Sequence, residues 1–171
     1  MIDEQEQVVL VDEQDVEVGV APKLAAHMDP RLHRAFSVFV FDAEGRMLLQ
    51  RRAEGKYHSA GLWSNTACGH PRPGEPTAQA AARRLDEEMG FLCPLEHRTT
   101  MLYRADVGAG LVEHELDHIF VGVFQGEPVP HPDEVSEWRW ASIADLHADV
   151  AAAPERYTPW FRLALEKLFP E

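Results

Sequence analysis

The segment "ACGHPRPGEPTAQAAARRLDEEMG", residues 67–90, predicts a loop followed by one amphipathic helix. The prolines and glycines in its first half prevent a helix from starting before about Thr77, which is the predicted N-cap, and Gly90 is the predicted end. The apolar side of this helix consists of Ala78, Ala81, Ala82, Leu85 and Met89. The charged side consists of Arg84, Glu87 and Glu88. We therefore expect the helix to pack one face and to present the other.

The spacing of glycine, glutamate and arginine from Gly69 to Phe91 resembles the Nudix box. Enzymes with that box hydrolyse diphosphates with a carboxylate cluster that binds magnesium. Arg84 stands where the pattern has a glutamate, and its positive charge argues against a multi-metal hydrolytic cluster. A single magnesium ion could still bind at Glu87 and Glu88. The alternative is a solvated acidic face in which Arg84 and Glu88 form an ordinary i, i+4 ion pair.

Length and charge bound the class of protein. The 171 residues fit one domain, residues 1–171, with a real core. A net charge of −13 disfavours nucleic acid and anionic membranes as partners. The N-terminus "MIDEQEQVVL" has no apolar signal core, and no stretch approaches the roughly 20 apolar residues of a membrane span. We expect a soluble, cytoplasmic protein and leave its oligomeric state open.

The remaining sequence predicts an α+β fold in which helices pack on a mixed β-sheet, an α/β/α sandwich-like arrangement. A hairpin is expected over 7–20, and further strands are expected at 36–41, 46–51, 62–67, 99–105, 118–124 and 137–141. Helices are expected at 142–150 and 158–169, the second with Thr158 as its cap and Pro159 at its first position.

A candidate metal site combines imidazoles with carboxylates. Its members are His27 and His33 in "HMDPRLH", His70 in "CGH", and Glu113 and Glu115 in "EHE". Mixed nitrogen and oxygen ligands favour zinc or manganese over calcium. Alternation along a strand puts both glutamates on one face and His114 on the other. The alternative is that several of the nine histidines are simply solvated.

The two cysteines, Cys68 and Cys93, are too few for a disulfide framework and are expected as thiols. A lone cysteine at the end of a strand is commonly a small buried hydrophobe. Cys68, however, precedes Gly69 at the mouth of the predicted phosphate loop, where a thiol could exchange a proton. Cys93, followed by Pro94, is interpreted as structural.

Basic residues in "QRRAEGK" supply Arg51, Arg52 and Lys56, and Lys23 lies close before His27. Guanidinium and ammonium groups are the usual partners of phosphate oxygens. Phosphate contact is expected for Arg52 and Lys56 and, less strongly, for Lys23. The alternative is an ordinary basic surface.

Seven segments together resemble the type 1 isopentenyl-diphosphate delta-isomerases: "AAHMDPRLHRAFS", "QRRAEGK", "WSNTACGHP", the altered box ending "DEEMG", "LYRA", "VEHE" and "TPWF". They run in family order from about residue 20 to 160. That family resembles Nudix enzymes in fold but catalyses no hydrolysis, which accounts for Arg84. The interval from His27 to His33 is one residue shorter than the family pattern.

The resemblance implies a role for each matching residue. It implies a manganese or zinc site formed by His27, His33, His70, Glu113 and Glu115. It also implies a magnesium contact at Glu88, an acid–base pair of Cys68 and Glu115, Tyr103 near the acidic end, and Trp160 over the substrate. The implied substrate is a small diphosphate, anchored through magnesium, Arg52 and Lys56.

The implied reaction moves a double bond between isopentenyl and dimethylallyl diphosphate through a tertiary carbocation. Two groups must flank the alkene to give and take protons, and an aromatic face must stabilise the positive charge in a closed pocket. Two alternatives remain: a Nudix-type diphosphate hydrolase, and a catalytically silent module whose cluster holds a structural metal.

Overall fold

The computed structural model describes residues 6–171, and its strands form one nine-stranded mixed sheet. The strands are β1 (Gln7–Val11), β2 (Glu17–Pro22), β3 (His33–Phe41), β4 (Met47–Arg52), β5 (Trp63–Ser64), β6 (Ala67–Gly69), β7 (Leu95–Gly108), β8 (Leu111–Val123) and β9 (Val135–Ala141). The α-helices are α1 (Lys23–Met28), α2 (Thr77–Met89), α3 (Ile143–Ala152) and α4 (Pro159–Leu168). A 3₁₀ turn at Pro154–Arg156 precedes α4.

Strand β3 lies at the centre of the sheet. It pairs in parallel with β8 and antiparallel with β1, β4 and β6. Alternate side chains of β3 enter two cores: Phe36, Val38 and Val40 pack with α2, whereas Phe39 packs with α3 and α4. Because both faces of β3 are covered, its sequence is a near-continuous apolar run. The predicted α+β class, with helices on both faces of a mixed sheet, is confirmed.

The prediction of a single strand over 62–67 is wrong, because Asn65 and Thr66 separate two short strands, β5 and β6. The Thr66 hydroxyl donates to the Leu48 carbonyl (2.7 Å) and accepts from the Val40 amide (2.9 Å). At this point the Thr66 side chain, instead of backbone hydrogen bonds between strands, links β4 to β3. The chain crosses from β4 to β3, and Cys68 comes to lie opposite Ser37.

Helix α2 starts at Thr77 and ends before Gly90, whose φ of 72° is left-handed, as predicted. The cap prediction is wrong: Pro76 is the N-cap, since the Ala80 amide bonds its carbonyl. On the apolar stripe Ala81, Leu85 and Met89 are buried, but Ala78 is exposed, Ala82 is half-buried and Ala80 is buried instead. Glu88 is also buried, because it faces the backbone of β6 rather than solvent.

Two further outcomes concern helices α4 and α1. Thr158 caps α4 by accepting from the Phe161 amide (3.4 Å), and Pro159 occupies the first turn, as predicted. The short helix α1, which carries His27, was not predicted. Across residues 6–171, none of the helices has the length and apolar character needed to cross a membrane.

Candidate active site

A cavity of about 530 Å³ opens between α2, the β4–β5 loop and the inner face of β8. Its two ends differ in chemistry. The first, which we call the imidazole end, is lined by His58, His70, Glu113 and Glu115, and the buried rings of His27 and His33 lie against it and belong to it. The second, the cationic end, is formed by Lys23, Arg52, Lys56 and Arg84.

The imidazole end brings together all five residues predicted as metal ligands. The Nε2 atoms of His33 and His70 lie 3.3 Å and 3.0 Å from Oε1 of Glu115. His27 joins them from α1 despite its shortened interval, and its Nε2 lies 3.8 Å from Oε1 of Glu113. The ligand atoms of His27, His33, His70 and Glu115 lie within 4.8 Å of one another. His114 is half-buried on the other face of β8, as alternation predicts.

Backbone hydrogen bonds orient two of these rings. Nδ1 of His27 lies 2.7 Å from the Lys23 carbonyl, and Nδ1 of His33 lies 2.8 Å from the Arg31 carbonyl. In both rings Nε2 is therefore left to face the cluster. Nε2 of His27 is buried and has no hydrogen-bond partner among the described residues. A buried nitrogen without a partner fits a site built to receive a cation.

The protonation states at this end also fit a divalent cation. Burial lowers the pKa of His70 to about 4, so its imidazole is neutral at pH 7. Burial and the nearby Glu113 oppose the ionisation of Glu115, but the contacts with His33 and His70 bring its pKa down to about 2. A neutral imidazole beside an ionised carboxylate, as at His70 and Glu115, is the state that metal ligation requires. The donor set of nitrogen and oxygen atoms suits a first-row metal.

Two further groups complete the imidazole end. The hydroxyl oxygen of Tyr103 lies 2.6 Å from Oε2 of both Glu113 and Glu115. Nε2 of His58 lies 3.0 Å from Oε1 of Glu113, so that His27, His58 and Glu113 form a second set of converging ligand atoms. Sequence reasoning missed His58. The available signal was its position in "KYHS", two residues after Lys56 of the predicted phosphate-binding segment.

Cys68 lines the cavity from β6. Its Sγ lies 3.3 Å from Oδ1 of Asn65 and 3.8 Å from the hydroxyl of Ser37, which donates to Asp117 (2.7 Å). Burial and then the charges of Asp117 and Glu88 raise the pKa of the Cys68 thiol well above its ordinary value, so it holds its proton at pH 7. Cys93, by contrast, packs against the core beneath α2.

The cationic end contains three of the four basic residues singled out in the sequence. Lys23, Arg52 and Lys56 line the cavity. Arg51 does not join them: its Nε donates to the Gly61 carbonyl (2.9 Å), because adjacent residues of β4 face opposite sides. The inclusion of Arg51 in the basic cluster was therefore wrong.

Glu134, which sequence reasoning also missed, lies among these cations. Its Oε2 contacts Nζ of Lys56 and lies 3.2 Å from Nη2 of Arg84. Burial opposes its ionisation, but Lys56 and Arg84 together bring the pKa of Glu134 down to about 2. A carboxylate thus already occupies part of the space where an anion would bind.

Arg84, the altered position of the box, lies among three carboxylates. Its guanidinium is 2.7 Å from Glu87, 3.3 Å from Glu88 and 3.2 Å from Glu134. Glu88 also accepts a hydrogen bond from the Cys68 amide (3.3 Å). A built-in cation therefore neutralises the carboxylates that a hydrolytic metal cluster would otherwise use.

Trp160 closes the cavity from the first turn of α4 and is 4 % exposed. Its ring lies 5.2 Å from Cζ of Arg52 and stands edge-on to His58, with ring centroids 5.6 Å apart. The aromatic face thus lies where the two ends of the cavity meet.

Comparisons with solved structures place the fold. A crystal structure of a Deinococcus radiodurans protein matches with a TM-score of 0.80 at 18 % identity, covering 96 % of this chain and 99 % of that one. The MutT protein from Methanosarcina mazei matches with a TM-score of 0.66 at 20 % identity, covering 80 % and 91 %.

Comparisons of sequence place the family. Residues 31–161 match the NUDIX domain. The chain is 52 % identical to isopentenyl-diphosphate Delta-isomerase 2 of Aromatoleum aromaticum, over 96 % of this chain and 87 % of that protein. It is 48 % identical to the isopentenyl-diphosphate Delta-isomerase of Serratia proteamaculans, over 95 % and 91 %. The chain therefore belongs to the isopentenyl-diphosphate Delta-isomerases, a family built on the NUDIX domain.

Proposed function

We propose that this protein interconverts isopentenyl diphosphate and dimethylallyl diphosphate, with residues 1–171 acting as one domain. The observation that carries the proposal is a single cavity in which Cys68, Glu115 and Trp160 lie beside a cationic end suited to a diphosphate. Membership of the isopentenyl-diphosphate Delta-isomerases supports the same reaction.

Cys68 and Glu115 are the proposed acid–base pair. Burial keeps the thiol protonated, while contacts with His33 and His70 keep Glu115 ionised. One group can therefore give a proton to the alkene while the other takes one from the neighbouring carbon. The reverse reaction uses the two groups in opposite roles. Tyr103 donates a hydrogen bond to Glu115 and so orients that carboxylate.

Trp160 is proposed to stabilise the carbocation. The ring is almost fully buried, and its face attracts positive charge, which is worth more when water is excluded. Exclusion of water also protects a tertiary carbocation from capture.

The two ends are proposed to hold different ions and groups. Lys23, Arg52 and Lys56 would bind the diphosphate, and Glu88 would hold a magnesium ion that would supply further positive charge to it. The five predicted ligands of the imidazole end would hold one manganese or zinc ion. Bound there, the ion supplies positive charge that compensates the buried carboxylates Glu113 and Glu115. Fixing the diphosphate places the alkene between the acid and the base.

Incubation with isopentenyl diphosphate and magnesium tests the proposal directly. Proton NMR should show the double bond migrating to give dimethylallyl diphosphate, without release of phosphate. Phosphate release would instead support a hydrolase, which the neutralising position of Arg84 argues against. Absence of any product from the metal-loaded protein would support a silent binding module.

A further inference from the structure

His58 reaches the imidazole end from the β4–β5 loop and is 5 % exposed. Its Nε2 is 3.0 Å from Oε1 of Glu113, the same separation as between His70 and Glu115. Glu113 thus has a partner on each oxygen, His58 on Oε1 and Tyr103 on Oε2. A carboxylate held on both oxygens has a fixed direction.

The loop around His58 is itself fixed. Nη2 of Arg52 donates to the His58 carbonyl (3.0 Å). Ser59 has a left-handed φ of 50°, and its hydroxyl lies 3.1 Å from the Val107 carbonyl and 3.2 Å from Nδ1 of His58. Left-handed backbone in a residue other than glycine is retained where the surroundings over-determine it. The contacts at the carbonyl and at Nδ1 direct Nε2 of His58 toward the carboxylate.

His58 also links the two halves of the cavity. Its ring stands edge-on to Trp160 on one side and stacks near His27 on the other, with centroids 5.6 Å and 5.9 Å away. The same imidazole therefore contacts a carboxylate beside the predicted metal ligands and the aromatic face proposed to cover the substrate. A ring at this junction can fix Glu113 while it limits the movement of Trp160.

We propose that His58 is a positioning residue of the metal centre, which donates its Nε2–H to Glu113 and holds that carboxylate in place for the ion. Nε2 carries the proton in this contact, because an ionised carboxylate oxygen 3.0 Å away can only accept a hydrogen bond. The inference rests on the metal centre of the proposed function. It adds to that centre a residue that is not one of the five predicted ligands.

The test is binding of cobalt(II) and zinc(II) to the full chain, measured by competition with a chromophoric chelator. His58→Phe keeps a ring against Trp160 but removes the donor, and should weaken affinity about 10- to 100-fold, the usual effect of losing a partner of a metal ligand. His58→Gln offers an amide N–H to Glu113 and should recover most of that loss. His114→Phe, the same change on the opposite face of β8, should bind as the wild type does.

Two results would overturn the positioning role. The first is wild-type affinity in His58→Phe. The second is a visible spectrum of the cobalt(II)-loaded His58→Gln protein that differs from that of the wild type, which would make His58 a ligand instead. Should His58→Phe fail to fold by circular dichroism, His58→Asn, whose shorter amide stops short of Glu113, takes its place against His58→Gln.

The same titration separates this inference from the proposal beneath it. A wild-type protein that binds neither ion would overturn both the metal centre and the role of His58. If the wild type and His58→Phe bind the ions equally tightly, only the role of His58 is overturned. Isomerase activity, measured separately, reports on the proposed reaction.

Discussion

The side chains of the imidazole end are almost entirely buried, whereas at the cationic end Lys23, Lys56 and Arg84 are partly exposed and already paired with carboxylates. Side-chain exposure is 0 % for His27 and His33, but 15 % for Lys23 and 19 % for Arg84. Backbone carbonyls fix the rings at the first end. At the second end, Glu134 already contacts Lys56 and Arg84, so an anion that binds there competes with it for these two cations. The side chains of the imidazole end are thus held in a fixed geometry, whereas the cations of the cationic end can exchange one anionic partner for another.

The largest expected effect comes from breaking the fixed end. His33→Ala or His70→Ala removes one buried imidazole and leaves Glu115 with fewer partners. Each variant should lose the bound transition metal and nearly all activity, as measured by elemental analysis and turnover. His114→Ala is the control and should lose neither, because its side chain faces away. A full complement of metal in His70→Ala would contradict the ligand assignment.

A smaller effect is expected at the exchanging end. Lys56→Ala removes one cation from the proposed diphosphate site but leaves the imidazole end intact. Substrate affinity should fall about 10- to 100-fold, the range for losing a charge-assisted hydrogen bond, while turnover at saturation changes less. Arg51→Ala changes the residue next to Arg52, but that side chain faces the other side of β4 and donates to the Gly61 carbonyl, so the variant should change neither quantity. Unchanged affinity in Lys56→Ala would remove this residue from the site.

Arg84→Glu tests whether the positive charge at this one position is what prevents the protein from hydrolysing diphosphates. The variant places a fourth carboxylate beside Glu87, Glu88 and Glu134, so like-charge repulsion should weaken substrate binding. It should not release phosphate, because the rest of the cavity remains organised around the alkene. Arg104→Glu, an equal charge change on an exposed strand position, is the control. Appreciable phosphate release by Arg84→Glu would show that Arg84 is the switch.

The smallest effect is on stability in acid. Contacts with Lys56 and Arg84 outweigh burial and depress the pKa of Glu134 from an ordinary value of 4.5 to about 2. The stability contributed by its ionised form is therefore present above about pH 4.5 and is lost as the pH falls toward 2. Glu134→Gln should flatten the decline of the unfolding midpoint across this window, measured by circular dichroism. A decline as steep as in the wild type would contradict the depressed pKa.

Sequence patterns predicted features that depend on local spacing. The alternation of Glu113 and Glu115 predicts that they share a face, and the loop before α2 predicts where that helix starts. Sequence reasoning missed His58 and Glu134, because each reaches the cavity from a loop whose path depends on distant contacts. Of the two, only His58 has a local signal, its position two residues after Lys56. The break at Asn65 and Thr66 also depends on such contacts, since their side chains bond β3 and β4.

The proposed separation of proton transfer from diphosphate binding is tested most directly by turnover and substrate affinity in Cys68→Ala. Turnover should fall at least about 100-fold, which is the effect of losing a general acid or base. The turnover of Cys68→Ser should also fall, because a hydroxyl is a poorer acid than a thiol. Affinity should change far less, since the diphosphate contacts do not involve the sulfur. Cys93→Ala should cost only packing, about 1 kcal/mol of stability. Near-normal turnover in Cys68→Ala would contradict the account and leave Cys68 a structural residue.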